Sequence, residues 1–429
     1  VADEATVEGL ISLLEHSDVQ AVSASAKLLA LVGGEASFSS LLNVLHVGEV
    51  ASAATMMLRR LGTEGKALLA AALQRGRAGP CYAQCLALVG ELTVDEIEDD
   101  LVSMLSVEVA SEDEEIMAAA LRSLGRTGGL GQLPALLGAC ERDDGLGDAA
   151  ADAVAEVLAR AGKREIPVEL LPEQRWPSSG SLARNLCRVA GKLSNEASVA
   201  SLVFLLASSD IDVRVAAAHA LGEIQGQHEG VGALAFALAD EEAHVRAAAC
   251  RSLGALGSID SLNSLLAASS DASSLVRAAA VQALVQLDNP VAASRMREII
   301  LEDSSPTVVV HAIEGLKVVH DEQTLGLVMS LCTSADSEVA KAAARVLRGF
   351  PSHRATAALI GLLAHERWDV RWVAAESLGT RGDPTAIGAI TQVLLKEGDA
   401  LVARTLQETL DRLEDLGAPS KTERGARHE

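Results

Sequence analysis

Aromatic residues are almost absent from this chain of 429 residues. Three tryptophans, one tyrosine and four phenylalanines make up 2% of the sequence, although 49% of its residues are hydrophobic. Ala, Leu, Val and Gly must therefore fill the core, and their small side chains suit helices that pack closely at many similar interfaces. This composition argues against one large hydrophobic nucleus, even though the length alone is typical of two or three compact domains.

Basic residues are also scarce. The 36 Lys and Arg residues are outnumbered by 59 Asp and Glu residues, which gives a net charge of −23 at pH 7. General binding to nucleic acid or to an anionic membrane needs clustered positive charge, so we expect neither kind of partner. No stretch approaches the roughly 18 consecutive apolar residues of a membrane span. The first ten residues, VADEATVEGL, lack the basic and apolar regions of a secretory signal peptide.

Cysteine motifs are missing as well. The six cysteines are scattered along the chain, and no Cys-x-x-Cys pair occurs. This pattern is typical of a reduced protein without a disulfide framework or a zinc-binding cysteine motif. We therefore expect a cytoplasmic location.

What the chain does contain is a strict repeat. The segment DVRVAAAHALG around Arg214 returns as DVRWVAAESLG around Arg371. We take Arg214 as position zero and call it the anchor; equivalent anchors recur every 31 or 32 residues, each followed by Leu at +7. The regular anchors are Arg214, Arg246, Arg277, Val309, Ala340, Arg371 and Ala403. Weaker upstream copies, anchored at Gln20, Ala51, Tyr82, Met117, Gly147 and Ala183, bring the count to thirteen.

Each repeat is predicted to be a pair of helices. In the second helix, apolar residues at −1, +3, +7 and +10 share one face at helical spacing. Asp or Ser at −4, such as Asp210 and Asp336, can cap the first turn. A pair of this size can bury its apolar faces only against further copies, so we predict an all-α, right-handed superhelical solenoid. Four glycines are placed for left-handed C-caps: Gly128, Gly226, Gly257 and Gly382.

The repeats divide one continuous array into four segments. We predict degenerate repeats over residues 1–165 and an inserted, proline-containing loop over 166–180, which could act as a hinge. Regular repeats then follow over residues 181–416. Residues 417–429 are predicted to form a disordered tail.

The block DVRVAAAHALGEI, repeated every 31 or 32 residues, resembles the HEAT-like repeat of the phycobilisome-lyase (E/Z) type. The resemblance covers about residues 7–416. It implies the solenoid fold. Relatives of this class include bilin lyase subunits, deoxyhypusine hydroxylase and non-enzymatic scaffolds of bacterial signalling or assembly complexes.

Metal-binding residues are absent where the hydroxylase would need them. A resemblance to deoxyhypusine hydroxylase would imply His-Glu pairs that hold iron at the start of several second helices. This chain has Val215-Ala216 and Val310-His311 at such positions. Its own His-Glu pairs, at 228–229, 365–366 and 428–429, lie before second helices or in the tail. Phosphate loops, nucleophile elbows and zincin motifs are also missing. We therefore expect no catalytic residue, no metal, no other cofactor and no small-molecule ligand.

Two sets of polar side chains allow a structural and a functional interpretation. Cys81 and Cys85 occupy the core positions −1 and +3, which favours buried thiols over metal ligands. Cys187 and Cys250, at +4, lie nearer the predicted groove, and a filler role is favoured over a reactive one. The arginines at the anchors could form a ligand ladder, but pairing with acidic groups of adjacent repeats is favoured.

The function that remains is protein binding. We expect a non-enzymatic scaffold or adaptor that holds one or more proteins in the concave groove of the solenoid. Positions +1, +4, +5 and +8 of the second helices are predicted to face away from the core. At +1 and +4 they form an apolar strip that ends at two tryptophans. The predicted groove residues are Val215, Ala247, Cys250, Ala278, Val281, Val310, Ile313, Trp368 and Trp372.

Three alternatives stay open. Packing within or between repeats could cover the apolar strip. Residues 95–115, with ten acidic side chains and no basic one, could be a solvated surface or a docking site for a basic partner. A subunit of a bilin lyase, or of a related chromophore- or cofactor-attachment enzyme, is the alternative function, and absorbance after incubation with bilins would detect it.

Overall fold

Helices account for all the regular secondary structure that the computed structural model describes, which covers residues 3–16, 18–47, 49–77, 79, 81–92, 99–226 and 228–417. These residues form 25 α-helices and several short 3₁₀ turns, and they contain no β-strand. None of these helices is both long and apolar enough to cross a bilayer. Helix contacts divide the chain into two compact units, Val1–Ala233 and Leu234–Glu429. The predicted all-α solenoid fold is confirmed.

Every predicted anchor lies in a helix, so thirteen second helices are present. They are α2 (Val19–Val32), α4 (Val50–Leu61), α6 (Tyr82–Val89), α8 (Glu114–Thr127), α10 (Gly145–Arg160), α11 (Gly180–Leu193), α13 (Ile211–Glu223), α15 (Ala243–Leu256), α17 (Ser274–Gln286), α19 (Pro306–Gly315), α21 (Ser337–Leu347), α23 (Trp368–Arg381) and α25 (Ala400–Gly417). The first helices are α1 (Glu4–Leu13), α3 (Glu35–Leu42), α5 (Thr63–Gln74), α7 (Asp99–Glu108), α9 (Leu133–Ala139), α12 (Val199–Leu205), α14 (His228–Ala237), α16 (Leu262–Ala268), α18 (Pro290–Glu302), α20 (Glu322–Ser330), α22 (His353–Leu362) and α24 (Ile387–Leu394).

The sixth repeat departs from the predicted helix pair. Between α10 and α11 the chain forms two 3₁₀ turns, Val168–Leu170 and Pro172–Gln174, where the other repeats have a first α-helix. Its prolines disfavour a regular helix. Ile166 and Leu171 are nevertheless buried in the core of the first unit, so the insertion fills the space of a helix with two apolar side chains.

Helix ends follow the predicted caps in most repeats, although the serines at −4 before α17 and α19 make no side-chain hydrogen bond to the first turn. At the start of α21, the Asp336 carboxylate accepts hydrogen bonds from the amides of Glu338 and Val339, at 2.8 and 3.3 Å. Gly257 and Gly382 end their helices with φ of 64° and 72°, in the left-handed region. Gly128 does not, because its φ is −66° and the chain leaves α8 in an extended conformation. The prediction of a left-handed cap is wrong at that glycine.

The Leu-Gly pair of the repeat is explained by packing between second helices. Leu at +7 points into the core, and Leu284 has no exposed surface. Glycine at +8 lies where the next second helix passes. A Cβ atom added to Gly254 would lie 2.7 Å from the Cα of Ala283, and one added to Gly191 would lie 3.2 Å from the Cα of Ala220. Glycine therefore lets the two backbones touch.

Candidate functional site

The predicted groove divides into residues that are exposed and residues that are not. Four of its nine members have no exposed surface, so they cannot line an open groove, and the prediction is wrong for them. They are Ala247, Cys250, Val281 and Ile313. Three of the four stand at +4. Each helical residue turns by about 100°, which places +4 at the flank of the core, while +1 and +5 lie opposite it. The flank is where the next second helix packs.

Five members of the predicted groove keep exposed surface. In the first unit, Val215 is half-buried, and in the second unit Ala278, Val310 and Trp372 are half-buried. Trp368 is 48% exposed. Around them the side chains at +5 face solvent, as predicted for that position. In the second unit they are Arg251, Gln282, Glu314, Arg345, Glu376 and Glu408.

The two tryptophans stand on a braced helix start. They occupy α23 one turn apart and hence share a face. Asp369, which follows Trp368, accepts hydrogen bonds from Nε and Nη2 of Arg367, each at 3.0 Å, and from Nζ of Lys341 at 3.0 Å. The hydrogen bond from Arg367, helped by Lys341, holds the pKa of Asp369 well below its usual range. These ion pairs fix the start of α23, and one of them is donated by Lys341 of α21.

Three anchor arginines, Arg246, Arg277 and Arg371, pair with an acid of the adjacent repeat, as favoured from the sequence. Nε and Nη2 of Arg277 donate to the two carboxylate oxygens of Asp303 at 2.7 and 2.9 Å, and Nη1 donates to the carbonyls of Asp271 and Ala272. Asp303 also accepts the amide of Ser305. We call this contact, from an anchor arginine to the acid at −6 of the next repeat, the anchor staple. Equivalent staples join Arg246 to Asp271 and Arg371 to Glu397. Because their donors are used internally, the ligand-ladder alternative is wrong for these three arginines.

A charged groove of about 740 Å³ opens in the first unit, between α10, α11 and α13. Arg184, Arg188 and Lys192 follow one side of α11 at four-residue spacing. They pair with acids of α10: Arg188 and Lys192 lie 2.5 and 2.8 Å from Asp152. Burial raises the pKa of Asp152, but the hydrogen bonds from these two cations outweigh it and lower that pKa overall. On the opposite wall, burial raises the pKa of Glu223. The cations of the groove thus hold its helices together.

The acidic run at 95–115 is partly structural. Residues 95–98 lie outside the described part of the chain. Glu108 is buried and accepts hydrogen bonds from Tyr82 at 2.9 Å and from Nη2 of Arg77 at 2.7 Å. Asp113 caps α8, and Glu115 accepts from Gln84. These contacts leave fewer free carboxylates for a basic partner than the sequence suggests.

The cysteines separate into five buried thiols and one that is partly accessible. Burial raises the pKa of Cys85, Cys140, Cys187 and Cys250 to about 12 and that of Cys332 to about 11. Cys81 is half-buried instead, so the prediction of a core thiol is wrong there. It precedes α6 with φ of 57°, and its Sγ lies 3.2 Å from Nδ1 of His46. Among the described residues, no group of three or more His, Cys, Asp or Glu side chains could hold a metal.

Comparison with known proteins agrees with the repeat fold. A profile of HEAT repeats matches residues 231–317 and 325–411. Among solved structures, Kap95p bound to RanGDP is similar over 97% of this chain and 67% of its own, with 14% identity and a TM-score of 0.60. Importin beta is similar over 96% of this chain and 63% of its own, with 15% identity and a TM-score of 0.53.

A third structure shares the repeats over a shorter range. It is the CpcE–CpcF complex of phycocyanin lyase from Nostoc sp. PCC7120, with 24% identity over 50% of this chain and 94% of its own and a TM-score of 0.35. No curated protein matches the sequence. At these identities the likeness to Kap95p and importin beta establishes the fold alone.

Proposed function

Because this chain is a HEAT-like repeat protein, we propose that it is a non-enzymatic scaffold that binds a protein partner on the exposed side of its second helices. Within Leu234–Glu429, the proposed contact surface consists of Ala278, Val310, Trp368 and Trp372. The fold suits this role, since stacked helix pairs provide extended surfaces for other proteins. Kap95p, which shares the fold, is seen in complexes with RanGDP and with Nup1.

The exposed tryptophan pair carries this proposal. A chain with three tryptophans places two of them one turn apart on α23, and one keeps 48% of its surface exposed. Tryptophan is enriched among the residues that dominate protein interfaces, because a large rigid ring buries much area at little cost in conformational entropy. If these two rings served to fill the core, they would stand on the buried face of α23, whereas Trp368 is 48% exposed.

The rigidity of the helix start supports the same surface. Arg367 and Lys341 hold Asp369, the residue after Trp368, so the backbone that presents the two rings is already ordered before a partner arrives. Because this segment is already ordered in the free protein, binding does not carry the entropic cost of ordering it. The net charge of −23 disfavours nucleic acid and anionic membranes as alternative partners. Six free cysteines fit the reducing cytoplasm, where we place the protein.

The proposal can be tested with three matched baits. Wild-type protein and the variant Trp368→Ala/Trp372→Ala are used to capture proteins from lysate of the source cells, with quantitative mass spectrometry as the readout. Phe236→Ala is the control, because Phe236 is an aromatic residue, 85% exposed, on the first helix α14 of the same unit. Circular dichroism of all three proteins establishes that helix content is unchanged.

We expect at least one protein to be captured by the wild type and by the Phe236 variant and lost on the tryptophan variant. With that protein purified, Trp372→Ala alone should weaken binding by about 2 kcal/mol, roughly 30-fold in Kd. Equal capture by all three baits would show that the partner binds elsewhere. If repeated captures yield no partner for any bait, the scaffold proposal itself fails.

A further inference from the structure

The anchor staples do not continue through the whole of Leu234–Glu429. Repeats anchored by Arg246, Arg277 and Arg371 are stapled to the repeat that follows. In the repeat of α19 the anchor is Val309, which cannot donate a hydrogen bond from its side chain. The next repeat has Ser334 at −6, where the stapled repeats have an acid. Ser334 still accepts the amide of Asp336 at 3.2 Å, so it retains the turn contact and lacks the link between repeats.

The ion pair between the second helices is more exposed at this boundary than a staple is. Between the second helices α19 and α21, Nη1 of Arg345 lies 3.4 Å from Glu314, and the two side chains are 41% and 45% exposed. In the staple of Arg277 and Asp303 the corresponding exposures are 17% and 7%. A solvent-exposed ion pair is screened by water and salt and stabilises little. From α18, Nη1 of Arg297 still reaches the next repeat, where it donates to Asp321 at 3.2 Å and to the hydroxyl of Thr324 at 3.0 Å.

The backbone changes form at the same boundary. Helix α19 has ten residues, against fourteen in α15 and thirteen in α17. It continues as a 3₁₀ turn, Leu316–Val318, before α20 begins at Glu322. The 3₁₀ turn has poorer hydrogen-bond geometry than an α-helix, and such stretches often mark hinges.

Packing beneath this turn is also incomplete. A pocket of about 410 Å³ opens there, lined by residues that include Met296, Gly315, Val318 and Val319. Val318 is 61% exposed. Atoms next to an open space lack contacts on one side, which lowers the resistance of the segment to bending. The missing staple, the short helix α19 and the open pocket therefore coincide at the boundary between α19 and α20.

We propose that residues 316–321 form a bending joint within Leu234–Glu429. The repeats up to α19 and those from α20 onward move about it as two stiff groups. The anchor staples join the first group, while the second is joined by the staple of Arg371 and, between α21 and α23, by the largely shielded ion pair of Lys341 and Asp369. One consequence rests on the proposed function: Val310 precedes the joint and Trp372 follows it, so bending sets the spacing of the two parts of the proposed contact surface. The joint itself needs no partner and is tested without one.

The first test is native-state hydrogen exchange on the full chain, comparing wild type with Val309→Arg/Ser334→Asp. The double variant supplies both members of an anchor staple at the unstapled boundary. In the wild type we expect amides of α19 and α20 to exchange about tenfold or more faster than those of α15 and α17. The double variant should remove most of this difference. The opposite variant, Arg277→Gln/Asp303→Asn, should accelerate exchange at the boundary of α17 and α19 by a similar factor.

The second test measures movement directly. Spin labels at Ala267 on α16 and Ala357 on α22, both exposed, report the distance across the joint in a Cys81→Ser background. We expect the distance distribution to narrow about twofold when the staple is installed. Labels at Ala357 and Gln392, both beyond the joint, provide the control and should not respond.

Equal exchange in α15, α17, α19 and α20 of the wild type, together with unchanged distance distributions in the stapled variant, would overturn the proposal. If Val309→Arg/Ser334→Asp fails to fold, the wild-type exchange pattern and the unstapled Arg277→Gln/Asp303→Asn variant still decide it. Loss of partner binding by the tryptophan variant has no bearing on either readout, so the two proposals can fail separately.

Discussion

Arg277 and Asp303 join two consecutive repeats through a two-point ion pair, with nitrogen–oxygen distances of 2.7 and 2.9 Å. Both side chains are largely shielded from water. The same arginine donates to two carbonyls of the turn in its own repeat, and the same aspartate accepts an amide of the turn in the next. One pair of residues therefore fixes two turns and the boundary between them.

Removing the carboxylate of this staple should destabilise the boundary locally. We expect Asp303→Asn to lower the free energy of local unfolding of α17 and α19 by about 1–3 kcal/mol, because a charged hydrogen bond is lost and Arg277 is left partly buried without its anion. Hydrogen exchange of these two helices measures the change. Amides of α23 and α25 should be unaffected, since each repeat contacts only its neighbours.

The same staple predicts a dependence on pH. The hydrogen bond from Arg277 lowers the pKa of Asp303 below its ordinary value. A carboxyl whose folded pKa is depressed stabilises the fold above its unfolded pKa, and this contribution is lost as pH falls through the folded pKa. The difference between wild type and Asp303→Asn should hence be full above about pH 5 and shrink below about pH 4. A gap that stays constant from pH 7 to pH 3 would contradict the assignment.

Gly254 provides a second prediction, because it stands where α15 and α17 touch. A Cβ atom at this position would lie 2.7 Å from both the Cα and the Cβ of Ala283. We expect Gly254→Val to cost about 1–3 kcal/mol through overpacking, measured as a loss in the free energy of unfolding by urea. Gly326→Ala in α20 is the matched control, since no neighbouring atom lies within 4 Å of its added Cβ. That change should be neutral or stabilise by up to about 1 kcal/mol.

Much of the fold could be predicted from the spacing of apolar residues, and the errors have physical causes. The apolar face of each second helix is repeated thirteen times, so its register is well determined. The prediction that +4 and +8 face away from the core is wrong, because it assumes that the core is a single stripe. In a stack of repeats the flank of that stripe is also buried, by the next second helix, as Val281 and Ile313 show.

The anchor staples are also visible in the sequence, because each joins an anchor to a fixed position of the next repeat. An arginine anchor is followed by an acid at −6 of the next repeat in the pairs Arg246–Asp271, Arg277–Asp303 and Arg371–Glu397. Where the anchor is Val309 or Ala340, the residue at that place is Ser334 or His365. Anchors and −6 positions taken together predict two boundaries without a staple. The structure distinguishes them, because at the second one Lys341 of α21 pairs with the largely shielded Asp369 of α23. The half-exposure of Cys81 could not be predicted, since it depends on an unusual backbone angle at the start of α6.

Leu284 tests the register that underlies the whole assignment. It stands at +7, has no exposed surface and packs in the core of the second unit. We expect Leu284→Ala to lower the free energy of unfolding by about 2–5 kcal/mol, as a core truncation that leaves a cavity. Leu301→Ala is the control, because Leu301 is 74% exposed on α18 and its truncation should change stability by less than about 0.5 kcal/mol. Similar small effects of both changes would mean that the register is wrong.

Thiol reactivity separates Cys81 from the other five cysteines. Burial raises the pKa of each of those five to about 11 or 12, so at pH 8 they are protonated and shielded from reagent. Cys81 is accessible, and Nδ1 of His46 lies 3.2 Å from its Sγ, within reach of the thiol proton. Native protein treated with an aromatic disulfide reagent should release one equivalent of coloured thiolate quickly, and the remaining five should appear only after denaturation. Cys81→Ser should abolish the fast equivalent and leave the slow ones unchanged. The expectation fails if the native protein releases two or more fast equivalents, or if a fast equivalent survives Cys81→Ser. Either result would show that the buried thiols are more accessible than the packing of these helices allows.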